Sequence, residues 1–283
     1  MRKSKRNLTL LREKVLAIGS ENDRVSSFTC GERRMKIIDE LEQFYTAEAQ
    51  KYAQTRRKHR PDGERLLEVL ESLEMRSPKL LELGCGSGRL ISYLDQAWER
   101  KFSYTGVDLS SGLLKYAKEE NPGRKFICSE MTSFLEGCKQ ESFDALVACA
   151  SFQHIPGAKA RLAVMKNAYR ALRYEGLLVM TNRAFSERFL RKHWKVVLQS
   201  GLKAIFTLGN ADWRDMMIPW KAKKQVYYRY YHLFGLEELK KLAEMAGFWV
   251  ERCYFLDKGG KKVEDWHKAN NSFLVARKVI CKG

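Results

Sequence analysis

The spacing of hydrophobic residues changes along the chain, and each change marks a different kind of element. Between Glu32 and Phe44, and just beyond, Ile37, Ile38, Leu41, Phe44 and Tyr45 fall on one helical stripe, and Ala47 to Gln54 reads as a second helix. Such a stripe needs a larger surface to pack on. Pro61 suits a helix start, and Leu66, Leu67, Leu70 and Leu73 repeat at helical spacing up to Ser77-Pro78. From Lys79 short apolar runs alternate with amphipathic helices, which predicts βαβ units on a parallel sheet. Strands are expected near 79–83, 102–108, 125–128, 143–149 and 176–181, with helices near 88–97, 110–120 and 158–172. The alternation then stops, and 183–234 is basic and aromatic without a clean period. Leu236 to Ala246 is helical and ends at Gly247, and two strands near 248–256 and 271–279 close the chain. The pattern predicts an α/β class with a doubly wound, Rossmann-like sheet. It divides the chain into a basic helical extension (1–60), a cofactor-binding core (61–182), a basic aromatic insertion (183–234) and a helix with strands that completes the core (235–283).

The densest chemistry lies at the first strand. Leu80-Leu81-Glu82-Leu83-Gly84-Cys85-Gly86-Ser87-Gly88 sets an acidic residue at a strand end and three glycines at alternate positions before a helix, so the backbone can approach a ligand closely. A dinucleotide fingerprint would carry Gly or Ala at position 89, where this chain has Arg89. Asp108 ends the next strand, twenty residues beyond Gly88, where a carboxylate can accept both hydroxyl hydrogens of a ribose.

This constellation resembles the class I S-adenosylmethionine-dependent methyltransferases over about residues 45–278, and the parallel series with an antiparallel close resembles their seven-stranded sheet. The resemblance implies S-adenosylmethionine as cofactor, with Asp108 on the ribose and the pair Glu130-Met131 flanking the adenine. It implies that Ala148 to His154 passes beneath the reacting methyl, with His154 a positioning residue. The implied cofactor set is Glu82, Gly84, Cys85, Gly86, Gly88, Asp108, Leu109, Glu130, Met131, Ala148 and His154. Within the superfamily, Tyr45, Thr55-Arg56, Pro219-Trp220, the run Arg229-Tyr230-Tyr231-His232-Leu233-Phe234, Leu236-Glu237-Glu238-Leu239 and Asn271-Ser272-Phe273 are similar to the enzymes that esterify 5-carboxymethyluridine at the tRNA wobble position. That similarity implies Arg229, His232 and Arg56 as the clamp on the acid.

Charge bears on the partner. The formal net charge is +18; residues 1–60 hold 15 Lys and Arg against 8 Asp and Glu, residues 183–232 hold 11 against 3, and residues 61–182 hold 16 of each. A neutral core between basic arms is the pattern of a domain that meets a polyanion. Trp220, Tyr227, Tyr228, Tyr230 and Tyr231 offer faces for an unstacked base, and Lys221, Lys223, Lys224 and Arg229 offer phosphate contacts. Trp220, Lys221, Tyr230 and Tyr231 are thus the expected substrate contacts, although period-2 alternation would bury half of the tyrosines. The expected partner is a tRNA anticodon loop, with a small activating protein subunit left open. Rival readings are methylation of a small molecule or of another RNA site, and a non-catalytic RNA-binding module on the same fold.

Seven scattered cysteines without a C-x-x-C pair argue against disulfides and a metal site, and suggest buried free thiols. No apolar run approaches the roughly 20 residues of a bilayer span, and the basic amino terminus lacks the apolar segment of a secretory signal, so a cytoplasmic protein without a membrane partner is expected.

Overall fold

The computed structural model describes residues 30–56, 62–206, 212–222 and 225–279. The first apolar stripe forms α1 (Cys30–Ala47) and runs on into α2 (Ala49–Arg56), and the leucine repeat forms α3 (Gly63–Glu71). The alternating series follows as β1 (Lys79–Leu83), α4 (Arg89–Ala97), β2 (Ser103–Asp108), α5 (Ser111–Glu120), β3 (Lys125–Cys128), α6 (Met131–Glu136), β4 (Phe143–Cys149), a 3-10 turn (Phe152–His154), α7 (Ala158–Ala171) and β5 (Leu172–Arg183).

Residues 183–234, which show no clean period in sequence, are structured. They contain α8 (Glu187–Lys192), α9 (Trp194–Phe206) and a hairpin of β6 (Asp215–Lys221) with β7 (Val226–His232). The chain closes with α10 (Leu236–Met245), β8 (Trp249–Leu256), β9 (Lys262–Val263) and β10 (Asn271–Arg277).

The main sheet has the order β3-β2-β1-β4-β5-β10-β8-β9. Strands β1 to β5 are parallel, and β10 inserts antiparallel between β5 and β8. The two-residue β9 makes this an eight-stranded sheet where seven strands were expected. Chain order reverses at β1, which lies between β2 and β4, and a crevice opens there outside the carboxyl ends of the strands.

Alternation along the strands supplies both faces of the core. Leu81, Leu83, Leu146, Ala148, Leu178 and Met180 pack against α7 and α10, while Leu80, Ala145, Val147, Leu177 and Val179 pack against α3 and α4. Leu66, Leu70, Leu90 and Leu94 are wholly buried, each contributing about 1.5–3 kcal/mol.

The hairpin is covered on both faces, which is why its period is hard to read. Cross-strand partners Met216 and Tyr231, and Ile218 and Arg229, share a face that meets Phe189 of α8 and Phe44 of α1. The other face carries Tyr230 and His232 against Arg161 of α7 and Phe234. Tyr230 and Tyr231, adjacent in sequence and expected as substrate contacts, are therefore both buried, 4% and 8% exposed. Helix α1 lies close on α5, where a Cβ at Gly112 would sit 2.9 Å from the Thr46 carbonyl oxygen. Among the described residues, no helix is long and apolar enough to cross a membrane.

Candidate active site

A cavity of about 690 Å³ fills the crevice at β1 and is roofed by α1 and α2. Its floor is the glycine turn, and the turn's shape is forced by what crosses it. Gly84 has φ +73°, and a Cβ there would lie 2.2 Å from the Ser151 Cβ, so only glycine admits the loop after β4. That loop is pinned by the Ser151 hydroxyl donating to the Leu83 carbonyl oxygen at 2.6 Å and by the Ala150 amide donating to Thr181 at 2.7 Å; Ala150 itself holds φ +53°.

Asp108 faces the same cavity. One carboxylate oxygen accepts the Gly86 amide at 2.7 Å and the other accepts the Ser110 amide at 2.9 Å, tying the ends of β1 and β2 together. Burial pushes its carboxyl up from the ordinary value, and the two amides pull the other way. Glu82, buried beneath, accepts the Tyr104 hydroxyl. Burial, then the charges of Asp108 and Glu82, push the Cys85 thiol well up, so it serves as a neutral wall. The expected cofactor residues Glu82, Gly84, Cys85, Gly86, Asp108, Leu109, Glu130, Met131 and His154 all line the cavity.

Gly88 and Ala148 do not. Gly88 is the left-handed N-cap of α4, where a Cβ would meet the Asn121 amide nitrogen at 2.6 Å, and Ala148 is buried in the sheet core. Glu130 is also otherwise engaged. Its carboxylate caps α6 through the Ser133 amide at 3.0 Å and pairs with Arg34 of α1 at 3.3 Å. The carboxylate thus clasps the roof to the core, which gives the longer acid a purpose at that position.

At the far wall, His154 sits between two partners. Its Nδ1 is 2.7 Å from the Tyr230 carbonyl oxygen, which can only accept, so Nδ1 carries the proton and Nε2 faces the Tyr45 hydroxyl at 3.1 Å. Tyr45 lines the cavity too, with Tyr52, Thr55, Arg89, Arg183, Lys258, Asn270 and Asn271. Arg183 donates to the Asn270 side chain at 2.7 Å and to its carbonyl oxygen at 3.1 Å.

The expected acid clamp is not assembled here. Arg229 is buried and off the cavity wall, with its guanidinium 4.8 Å from the Trp220 ring and 5.1 Å from the Phe44 ring, donating to the Tyr231 hydroxyl at 3.1 Å. His232 is wholly buried between Asp215 (2.6 Å) and Glu238 (2.9 Å) and ties the hairpin to α10. Burial pulls its imidazolium down, but the two carboxylates outweigh this and its pKa is raised. Arg56 ends α2, and its side chain lies outside the described residues.

The expected base contacts fare similarly. The Tyr230 hydroxyl donates to Asp215 at 2.6 Å, and the Tyr231 ring packs edge-on to His154 at 4.6 Å. Half-buried Trp220 donates to Glu48 at 3.1 Å, and Lys221 is exposed at the end of β6. Lys223 and Lys224 lie outside the described residues. Asp212, Asp215 and His232 come together as a metal site would, yet Arg214, Arg161, Tyr230 and Glu238 already engage them. Cys128, expected to be buried, is exposed.

A doubly wound sheet with its crevice at β1, a glycine cradle and a carboxylate at the end of β2 make up the Rossmann-like fold of the methyltransferases, with a crevice suited to S-adenosylmethionine. Residues 81–180 match the family model of a methyltransferase domain. A protein of Encephalitozoon cuniculi that carries the name methyltransferase is 26% identical over 211 residues, covering 74% of this chain and 87% of the relative. The malonyl-[acyl-carrier protein] O-methyltransferase of a Paenibacillus species is 29% identical over 109 residues, 37% of this chain and 38% of that one. Among solved structures, a SAM-dependent methyltransferase of Methanosarcina mazei superposes with a TM-score of 0.58 at 19% identity, covering 75% of this chain and 97% of the other. The methyltransferase seen in complex with the Trm112 activator of Haloferax volcanii gives 0.57 at 13% identity, covering 87% and 99%.

Proposed function

We propose that this chain methylates the carboxylate of 5-carboxymethyluridine at the wobble position of a tRNA anticodon loop. The observation that carries the reading is the cavity rim. Arg183 and Lys258, with Asn270 and Asn271, line the same cavity as Gly86 and Asp108, so an acid can be held beside the cofactor cradle. Arg183 and Lys258 take over the role first given to Arg229 and His232.

The cradle suits the cofactor: the glycine backbone leaves room for it, and Asp108 keeps lone pairs towards the cavity for a ribose. When bound, S-adenosylmethionine supplies an electrophilic methyl on a sulfonium. The protein has little else to do for this chemistry, because a carboxylate with a pKa of about 4 is already ionised at neutral pH. Arg183, held by Asn270, orients the acid beneath the α1–α2 roof. The basic segments bring the polyanion, and we infer a small activating subunit by analogy with the Haloferax volcanii complex.

The test is transfer of labelled methyl from S-adenosylmethionine to total tRNA, followed by mild alkali and nucleoside analysis. Base-labile label on a wobble uridine supports the reading; alkali-stable label would move the acceptor elsewhere. One observation favours a second reading, methylation of a hydroxyl or ring nitrogen: Tyr45 and His154 form a pair able to accept a proton at the cavity wall. A rate that is flat above about pH 6 fits the carboxylate, and a rate that climbs towards about pH 9 fits the second reading.

A further inference from the structure

A shallow groove of about 590 Å³ lies beside the cofactor cavity, walled by α8, the turn between β8 and β9 and the segment before β10. Lys258 lines both, so the groove and the cavity are neighbours that share this side chain. Of the carboxylates in the groove, one is ion-paired and the other is held by backbone amides on a single oxygen. Glu187 pairs with Arg191 at 3.6 Å and with the His267 ring, and Asp257 accepts the amides of Gly259 and Lys261 at 2.8 and 2.9 Å. Arg188, Lys258 and Lys268 are exposed, and among the described residues none of them has an ion-pair partner.

Two tryptophans pack on Phe185, three residues before Arg188 in the chain. Trp266, 37% exposed, stacks on Phe185 with centroids 5.9 Å apart and planes 3° from parallel. Trp213, 40% exposed, meets Phe185 edge-on at 5.2 Å. Phe185 thus supports one side of Trp266, the His267 ring lies 4.3 Å from the same indole, and Lys268 follows two residues on.

We propose that this groove binds the single-stranded RNA flanking the modified nucleotide, with phosphates on Arg188 and Lys268 and a base on Trp266. The proposal rests on the RNA reading given above and moves the recognition surface away from β7, whose Tyr230 and Tyr231 are buried. An acidic protein segment would match the cations but would have no use for a propped, half-open indole, whereas base stacking is sequence-tolerant and needs such a face. Because Lys258 belongs to both, a strand held in the groove has its next nucleotide beside the cavity.

The test is fluorescence anisotropy of the full-length chain with a labelled RNA hairpin carrying a single-stranded loop, titrated over a range of salt. For Arg188→Ala/Lys268→Ala the affinity falls about tenfold, and the slope of log affinity against log salt shrinks by about 1.4, the share of two phosphates on a single strand. Trp266→Ala weakens binding by a similar factor of about ten, and Trp266→Phe restores most of it. Calorimetry with S-adenosylmethionine verifies that the double variant is folded, since neither substituted residue lines the cofactor cavity. Wild-type affinity and slope in the double variant, with the wild type binding RNA, would overturn the groove alone. A wild-type chain with no salt-dependent affinity for the hairpin would overturn the RNA reading and the groove with it. Tighter binding of polyglutamate than of RNA would assign the groove to an acidic protein and overturn the proposal.

Discussion

At the scale of the residue, most of the residues expected at the cofactor converge on one cavity because their pattern is local in the chain. Glu82, the glycines and Asp108 each announce themselves by their place at a strand end, and Asp108 bonds the backbone of the very turn it was paired with. The half proposed to hold the acid was not legible in the same way. Arg183, Lys258 and Asn270 are far apart in sequence and meet only because β10 lies beside β5. The position of Arg183 at the carboxyl end of a parallel strand was the available signal. Arg229 looked like a substrate ligand because a run of tyrosines and a cation suits RNA; the same composition suits a guanidinium packed among rings. Two predictions follow from this contrast. Arg183→Ala lowers kcat/KM on tRNA about 100-fold while the melting temperature stays near that of the wild type, as expected for a cation that holds the acid. Arg229→Ala empties the space between Phe44, Trp220 and Tyr231 and costs about 2–4 kcal/mol of stability, read by denaturant unfolding.

At the scale of the element, the five strands of the parallel series and the helices expected near 88–97, 110–120 and 158–172 lie close to their places, since period and caps are properties of short windows, whereas the six-residue α6 is too short to show a period. Strand β5 begins earlier than expected, at Leu172, next to a register shift against β4. The hairpin β6–β7 escaped because partners cover both of its faces, so polar and apolar residues do not alternate by exposure. Its attachment has a pH signature. His232 is held by Asp215 and Glu238, and Arg161, Arg214 and Tyr230 face the same network. Because the folded pKa of His232 is raised, its stabilisation is complete below the unfolded value of about 6.5 and is lost as the pH rises through the folded value. The melting temperature is therefore expected to decline above about pH 6.5, and less so in His232→Gln. An unchanged slope in the variant would remove His232 from that role. On the sheet's other flank, Leu70→Ala is expected to cost about 2–5 kcal/mol, because Leu70 is fully buried among Leu66, Leu90 and Leu94.

At the scale of the whole molecule, the neutral and basic segments take different places around the cavity. The neutral segment 61–182 carries the cradle, and the basic segment 183–232 supplies Arg183 at the cavity and Arg188 in the groove. Helix α1 roofs the cavity through Ile38, Leu41 and Tyr45 and is clasped by Arg34 on Glu130. The extension expected to pack on the core therefore closes the site as well, a role its apolar stripe alone did not disclose. All of this depends on the cavity at β1 being the cofactor site. The direct measurement is a calorimetric titration of the full chain with S-adenosylmethionine, wild type beside Asp108→Ala. Saturable binding by the wild type, weakened about 10- to 100-fold in the variant by loss of charge-assisted hydrogen bonds, is the predicted result. Equal affinity in the two proteins, or none in the wild type, would contradict it.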